Sequence, residues 1–387
     1  MSFLVLEWIL FASSFVVVLF YAFFFSVLYY YSRKSKNVEG SLDFFYPNVS
    51  MIVPVFNEGE IIHRKIKNLL ELNYPKNKLE VIFVDGNSSD STPDIISGYA
   101  TRNPFISLVR QESRKGYNAA VFDGFRKSTA EIIVITQADA LYEPDALKYL
   151  VRHFRDPEIG VVTGKQMIIN ENEGFATELE GSYRRFYDFV RTAETRMDSP
   201  FDVKGEICAI RREICGHLLS DNPKLLTKAC VDCCLSCQAR LEGYKAVFEP
   251  GARYYEYVTS TVKDRLKQQV RRGTILIESL LLFKKMLFNR KYGLFGSFVL
   301  PAHLFMLVIL PWLFILAFIS FLILLVVYPI NFLVFLVIIL LALLAKPKLF
   351  LSFVQSQFAL VAATLRVAVA RDSQIIEQLP STRRQKP

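Results

Sequence analysis

Between Trp8 and Tyr31 the chain carries no charged residue, and between Tyr292 and Ala345 it again carries none. A helix needs about 20 apolar residues to cross the hydrocarbon of a bilayer. The first run therefore supplies one span, and the second is long enough for two, broken at the turn-like Tyr328-Pro329-Ile330-Asn331. Runs this long and this free of charge argue against helices buried in a soluble core. A cleaved signal peptide carries its positive charge before the apolar stretch. Here Glu7 precedes the stretch, and Arg33, Lys34 and Lys36 follow it. The expectation is a retained anchor.

Cytoplasmic flanks of membrane helices are enriched in Lys and Arg. That bias places the N-terminus outside and residues 32–291 in the cytosol. The chain leaves near Gly293 and returns near Ala345 to meet Lys346 and Lys348. A last apolar stretch, Leu349 to Leu365, is shorter and contains Ser352, Gln355, Ser356 and Gln357. It reads as an interfacial or re-entrant helix, with a third C-terminal span as the alternative. The basic tail "STRRQKP" favours a cytoplasmic end. The resulting division is 1–31, an N-terminal transmembrane helix; 32–260, a cytosolic domain; 261–291, an interfacial helix; 292–345, two transmembrane helices; and 346–387, an interfacial or third C-terminal membrane helix with its basic cytosolic tail.

The formal charge of +9, from 46 Lys and Arg against 37 Asp and Glu, suits contact with anionic membrane lipids. No nucleic-acid recognition motif accompanies it, so no nucleic-acid partner is expected. All six cysteines fall between Cys208 and Cys237. The run "CVDCCLSC" has the look of a zinc or cluster site. Its thiols crowd one short stretch, however, and a cytosolic domain also uses cysteine as a small buried side chain.

Within the cytosolic part, "VSMIVPVF" (49–56), "LEVIFVDGNSSDST" (79–92), "FISLVR" (105–110) and "EIIVITQAD" (131–139) open as β-branched, apolar runs. Helical patterns at 60–72 and 116–128 lie between them. Strand alternating with helix predicts an α/β fold built on a parallel sheet. Ligands of such sheets bind at the carboxyl ends of the strands, where Asn57, Glu58, Asp85 and Asp139 stand. A soluble dehydrogenase-like reading fails, because no Gly-x-Gly-x-x-Gly follows the first strand.

"VSMIVPVFNE", "VIFVDGNSSDST", "RKGYNAAVFDG", "ITQADALYEPDAL", "VDCCL" and "QQVRR" follow one another in the order and spacing of the family 2 glycosyltransferases, which the segment 48–290 resembles. The resemblance implies a GT-A domain, Rossmann-like with a mixed, mostly parallel sheet, flanked by N- and C-terminal transmembrane helices. It implies an inverting enzyme in the cell membrane, multi-pass, with its catalytic domain in the cytoplasm. The donor would be a nucleotide sugar, the acceptor lipid-linked or glycan, and the cofactor Mn²⁺ or Mg²⁺.

The resemblance also assigns roles. Pro54, Asn57 and Glu58 line the nucleotide pocket. Asp85 resembles the aspartate that meets the base or ribose, although Gly86 follows where a second aspartate is usual. Lys115 resembles a basic residue near the diphosphate. Asp139 falls on the second aspartate of the Asp-x-Asp motif, the direct metal ligand, and Gln137 falls on the first. One carboxylate suffices for a hard cation when phosphate and water complete its shell, and an amide still forms hydrogen bonds at the first position. Asp232 aligns with the general base, with Val231 where an acidic residue is common. Gln268 and Arg271 match Gln-x-x-Arg-Trp, with Arg272 in place of tryptophan, and a guanidinium pairs well with diphosphate oxygens. The alternatives are a processive polysaccharide synthase and a nucleotide-sugar-binding membrane protein without catalysis.

Overall fold

The structure, a computed structural model, describes residues 3–34, 45–221, 229–327 and 347–369. Among these, β1 (Val49–Val55), β2 (Leu79–Asp85), β3 (Ile106–Arg110), β4 (Ile132–Thr136), β5 (Leu141–Tyr142), β6 (Ile159–Ile168), β7 (Ile207–Arg211) and β8 (Lys245–Glu256) share one sheet. Its order is β3-β2-β1-β4-β7-β6-β8-β5. The first four strands pair in parallel, as expected of runs buried on both faces. Strand β7 enters antiparallel between β4 and β6, and β8 returns parallel to β6. The sheet is therefore mixed and mostly parallel.

The helices of the domain are α2 (Ile62–Leu70), α3 (Thr92–Ala100), α4 (Tyr117–Lys127), α5 (Ala146–Val151), α6 (Phe175–Met197), α7 (Arg212–Asp221), α8 (Val231–Leu241) and α9 (Val262–Leu282). They follow α1 (Phe3–Arg33) and precede α10 (Leu300–Leu304), α11 (Leu310–Val327) and α12 (Pro347–Ala368). Helix α2 starts later than the sequence pattern suggests. Asn57 adopts a left-handed backbone, φ 52°, and the chain turns before the helix begins.

Among the described residues, three helical segments are long and apolar enough to cross a membrane: Val5–Arg33, Phe295–Leu324 and Pro347–Ala368. The expected break at 328–331 and the second half of the 292–345 run lie outside the described residues. Helix α12 covers the stretch expected to be interfacial, and at 22 residues it has the length of a span. It packs on α9, α6 and α11, while α1 packs on α11 and α6. Gly273 makes the crossing of α9 and α12 close, since a β-carbon there would lie 3.0 Å from both Ala363 and Leu360. The outer faces of α1 and α11 stay bare, with Trp8, Phe11, Phe15 and Trp312 exposed. Such faces suit lipid rather than water.

Candidate active site

At the carboxyl end of β4 the chain turns through Gln137-Ala138-Asp139, and beneath that turn lies Lys65 of α2. Its ammonium donates to Thr136 Oγ1 at 2.9 Å and to the Ala140 carbonyl at 2.5 Å. It also sits 4.8 Å from the centre of the Tyr142 ring. Lys65 is fully buried. Burial pushes its pKa down to about 7, against the pull of the Asp139 charge. A buried cation with two carbonyl or hydroxyl acceptors is expensive to desolvate and persists only where it is well paired. Here it fastens both sides of the turn that carries Asp139.

Asp232 reaches the same region from the other side, in the first turn of α8, whose N-cap is Cys230. A helix N-terminus favours an ionised carboxylate by roughly 0.3–1 kcal/mol. Burial opposes it and prevails, lifting the carboxyl from 3.8 to about 6, with Glu206 adding to the rise and a hydrogen bond from Cys230 opposing it. That rise corresponds to about 3 kcal/mol. Asp232 Oδ1 is buried without a hydrogen-bond partner among the described residues.

From α9 come Gln268 and Arg271, with Gln268 Oε1 and Arg271 Nε likewise buried and unbonded. Burial works against the Arg271 charge, and Arg272 adds to that effect. Buried polar atoms without protein partners are rare in folded proteins and mark places where a ligand or water can bind. Gln137, Asp139, Asp232, Gln268 and Arg271 all line one cavity, together with Glu206 and Glu256. Glu256 is held well above the ordinary carboxyl range by burial, reinforced by Glu206 and Asp139.

The remaining expected residues stand apart from this cavity wall. Pro54 lies in β1 and Asn57 follows it, its side-chain oxygen accepting from Ser89 N at 2.9 Å. The Glu58 amide donates to Thr92 Oγ1 at 2.8 Å. Asp85 ends β2 fully buried, and both its oxygens accept from Ser88 N at 3.2 Å. Lys115 is exposed, just before the left-handed Gly116 that opens α4. The first four form a second group around the ends of β1 and β2, and Lys115 stands in the loop between β3 and α4.

Four residues escaped the reading of the sequence: Lys65, Gly205, Glu206 and Glu256. Lys65 left a signal. It shares the i, i+3, i+4 stripe of Ile61, Ile62, Ile66 and Leu69, all buried, and a lysine inside an apolar stripe must find a partner. Helix α6 lends Tyr183, Arg184 and Arg191 to the cavity wall. Arg184 and Arg191 turn inward, Arg184 onto Glu180 at 2.8 Å and Arg191 onto Asp188 and Asp202. Glu180 is the hub of a wider cluster. It also meets Arg272 at 2.7 Å and the fully buried Arg265 at 3.2 Å. Arg265 continues to Ser352 Oγ of α12 at 2.7 Å and to Gln355.

The thiols of "CVDCCLSC" are free. Cys234 and Cys237 are buried, whereas Cys230 and Cys233 line the cavity beside Asp232. Among the described residues no three His, Cys, Asp or Glu side chains assemble a metal cage. Asp139 and Gln137 do fit a hard divalent cation that takes most of its ligands from phosphate and water.

A profile described as "Glycosyl transferase family 2" matches residues 50–219, the stretch that runs from β1 to α7. The chain carries a family 2 glycosyltransferase domain. It is 29% identical over 267 residues to "Probable glycosyltransferase YdaM" of Bacillus subtilis (strain 168), covering 65% of this chain and 63% of that protein. It is 25% identical over 252 residues to "Poly-beta-1,6-N-acetyl-D-glucosamine synthase" of Staphylococcus aureus (strain COL), covering 64% and 60%. The matched stretch thus spans about three-fifths of each curated relative. A mannosyltransferase from Pyrobaculum calidifontis, solved with GDP-Man and Mn²⁺, superposes with a TM-score of 0.79 at 25% identity, covering 94% of this chain and 99% of that one. The GT-A architecture of this family 2 domain and its membrane-length helices match the expected fold class.

Proposed function

We propose that the protein transfers a sugar, with inversion, from a nucleoside-diphosphate donor to an acceptor hydroxyl at the cytoplasmic face of a membrane. The observation that carries this reading is the convergence of Gln137, Asp139, Asp232, Gln268 and Arg271 on one cavity from three distant stretches of chain. The mannosyltransferase seen with GDP-Man and Mn²⁺ supports the same donor chemistry.

Arg271 and Gln268 bind the diphosphate, and Asp139, with Gln137 beside it, would hold a divalent cation. When bound, such a cation would offset the charge that builds on the departing diphosphate. Asp232 takes the proton of the acceptor hydroxyl. The acceptor oxygen bonds to the anomeric carbon while the bond to the diphosphate oxygen breaks, and the electron pair leaves with the nucleoside diphosphate. Lys65 and Gly205 position the groups that act. Asp85, Asn57, Glu58 and Pro54 serve the base and ribose, and Lys115 the diphosphate. With Asp85 engaged by Ser88, its use by a ribose requires that loop to shift.

The test is turnover of UDP- and GDP-sugars by the purified full-length chain with Mn²⁺, read as release of nucleoside diphosphate and as product mass. Asp232→Asn is expected to lose turnover while keeping nucleotide binding. Full turnover in that variant would remove Asp232 from the mechanism, and binding without turnover in the wild type would leave a binding protein. The likeness to a polysaccharide synthase favours a second, processive reading, which product length separates from single transfer.

A further inference from the structure

His303 is the only ionisable side chain between Phe295 and Leu324, a helical segment of membrane length. Ionisable residues inside such segments are costly to keep, face protein rather than lipid, and mark function. His303 faces protein, being 2% exposed. The helix around it is irregular, with the π-helical turns Phe295–Val299 and Phe305–Ile309 on either side of α10. Such wide turns are rare and collect at functional sites.

His303 Nε2 lies 2.8 Å from Glu194 Oε1 of α6, and its ring centre lies 4.8 Å from that of Phe201. Glu194 is itself buried, and its other oxygen accepts from the Phe201 amide at 3.2 Å. One oxygen of this carboxylate therefore meets the membrane-length segment, and the other holds the loop that follows α6. A second tie runs beside the first. Asp198 Oδ2 accepts from the Phe295 amide at 3.2 Å, and a β-carbon on the left-handed Gly293 would lie 2.8 Å from the same oxygen. The loop is thus held at Asp198 and at Phe201. Its remainder, Asp202 to Glu206, lines the polar cavity, where Gly205 packs against the Asp232 carboxylate.

We propose that His303 is a positioning residue of the transfer site: through Glu194 and Phe201 it fixes residues 198–206, and so holds Gly205 against Asp232. This rests on the transfer reading above. Only Asp202, Val203 and Lys204 separate Phe201 from Gly205, so a shift of Phe201 reaches Gly205 with little chain to absorb it. A buried acceptor that loses its donor must turn to another partner or to water, and Glu194 cannot turn without disturbing the Phe201 amide. Small displacements of a reacting group cost rate far more than they cost binding.

The test uses the full-length chain in nanodiscs. Release of nucleoside diphosphate from UDP- and GDP-sugars and hydrogen exchange of residues 198–206 are read on the same samples. His303→Phe keeps an aromatic ring against Phe201 and removes the nitrogen. It is expected to lower kcat by about tenfold or more while donor KM stays within about twofold. Exchange in 198–206 should speed up by about tenfold, with the amides of β1 to β4 at wild-type rates. His303→Gln keeps a donor for Glu194 and is expected to restore kcat to within about threefold of wild type. If His303→Phe does not fold, Glu194→Gln takes its place, because an amide accepts through one atom only and must release either His303 or Phe201.

Wild-type kcat in His303→Phe would overturn the inference, as would equal losses in the Phe and Gln variants. Lost kcat with unchanged exchange in 198–206 would also overturn it, since the loop would then not be the link. A wild-type chain that turns over none of the donors, with exchange in 198–206 still governed by His303, sinks the transfer reading and leaves only the loop contact.

Discussion

A β-carbon on Gly205 would fall onto Asp232 Oδ2. The loop ahead of β7 and the first turn of α8 meet there with no room for a methyl group. Gly205→Ala must therefore push the carboxylate aside without opening the core. A displacement of about 1 Å in a reacting group costs on the order of 10²-fold in rate. Turnover should fall by about that factor while thermal unfolding and nucleotide affinity stay near wild type. A variant with normal turnover would show that Asp232 works from a different position.

Asp139→Ala should abolish Mn²⁺-dependent turnover, because no other carboxylate of the turn can replace it. Gln137→Asp should leave turnover intact or raise it and should lower the Mn²⁺ concentration needed for half activity. Titration of the metal at saturating nucleotide sugar reads both. A Gln137→Asp enzyme with weaker metal response would mean that the amide has a task a carboxylate cannot perform.

The base must be ionised to accept a proton, so kcat/KM should drop about tenfold per pH unit below about 6, the value to which burial lifts Asp232. Stability moves the other way. A carboxyl whose folded pKa exceeds its unfolded value stabilises fully below the unfolded pKa, and that contribution is lost as pH rises through the folded one. Between pH 3.8 and about 6 Asp232 gives up its contribution. Asp232→Asn should accordingly raise the unfolding temperature at pH 7.5 while it abolishes turnover. A pH–rate profile and a thermal melt on both proteins check the pair of signs.

Glu180 presents the opposite case. Burial alone would lift its carboxyl, but Arg184, Arg272 and Arg265 bring it down to about 2. Its contribution is present above pH 4.5 and is lost as pH falls toward about 2. Glu180→Gln leaves Arg265 buried and only partly paired, and breaking a buried pair costs roughly 3–5 kcal/mol. The variant should melt earlier at pH 7, and the penalty should shrink in acid. An unchanged melting temperature would show that the cluster relaxes around the amide.

The first four strands were legible because each is a β-branched run ending in a polar residue, and both patterns are local. Asp139, Asp232 and Arg271 were legible because each sits in a motif whose order along the chain is informative. Lys65 was not, since its acceptors are Thr136 and Ala140, which lie 71 and 75 residues away. Glu180 hid for the same reason, as two of its three arginines come from α9. The antiparallel entry of β7 has no local signature either, because an apolar run such as "ICAIR" carries no mark of its direction relative to its neighbours. Long-range pairing of charges and strands is fixed only once the sheet has closed.

The bonds from Arg265 to Ser352 and Gln355 bear on how such a protein should be handled. The usual route to a soluble sample trims membrane segments from a catalytic domain. Trimming here would strip partners from a guanidinium that is fully enclosed, on the helix that also bears Gln268 and Arg271. The anchor is part of the enzyme's interior, and a shortened protein would be expected to lose shape before it lost solubility.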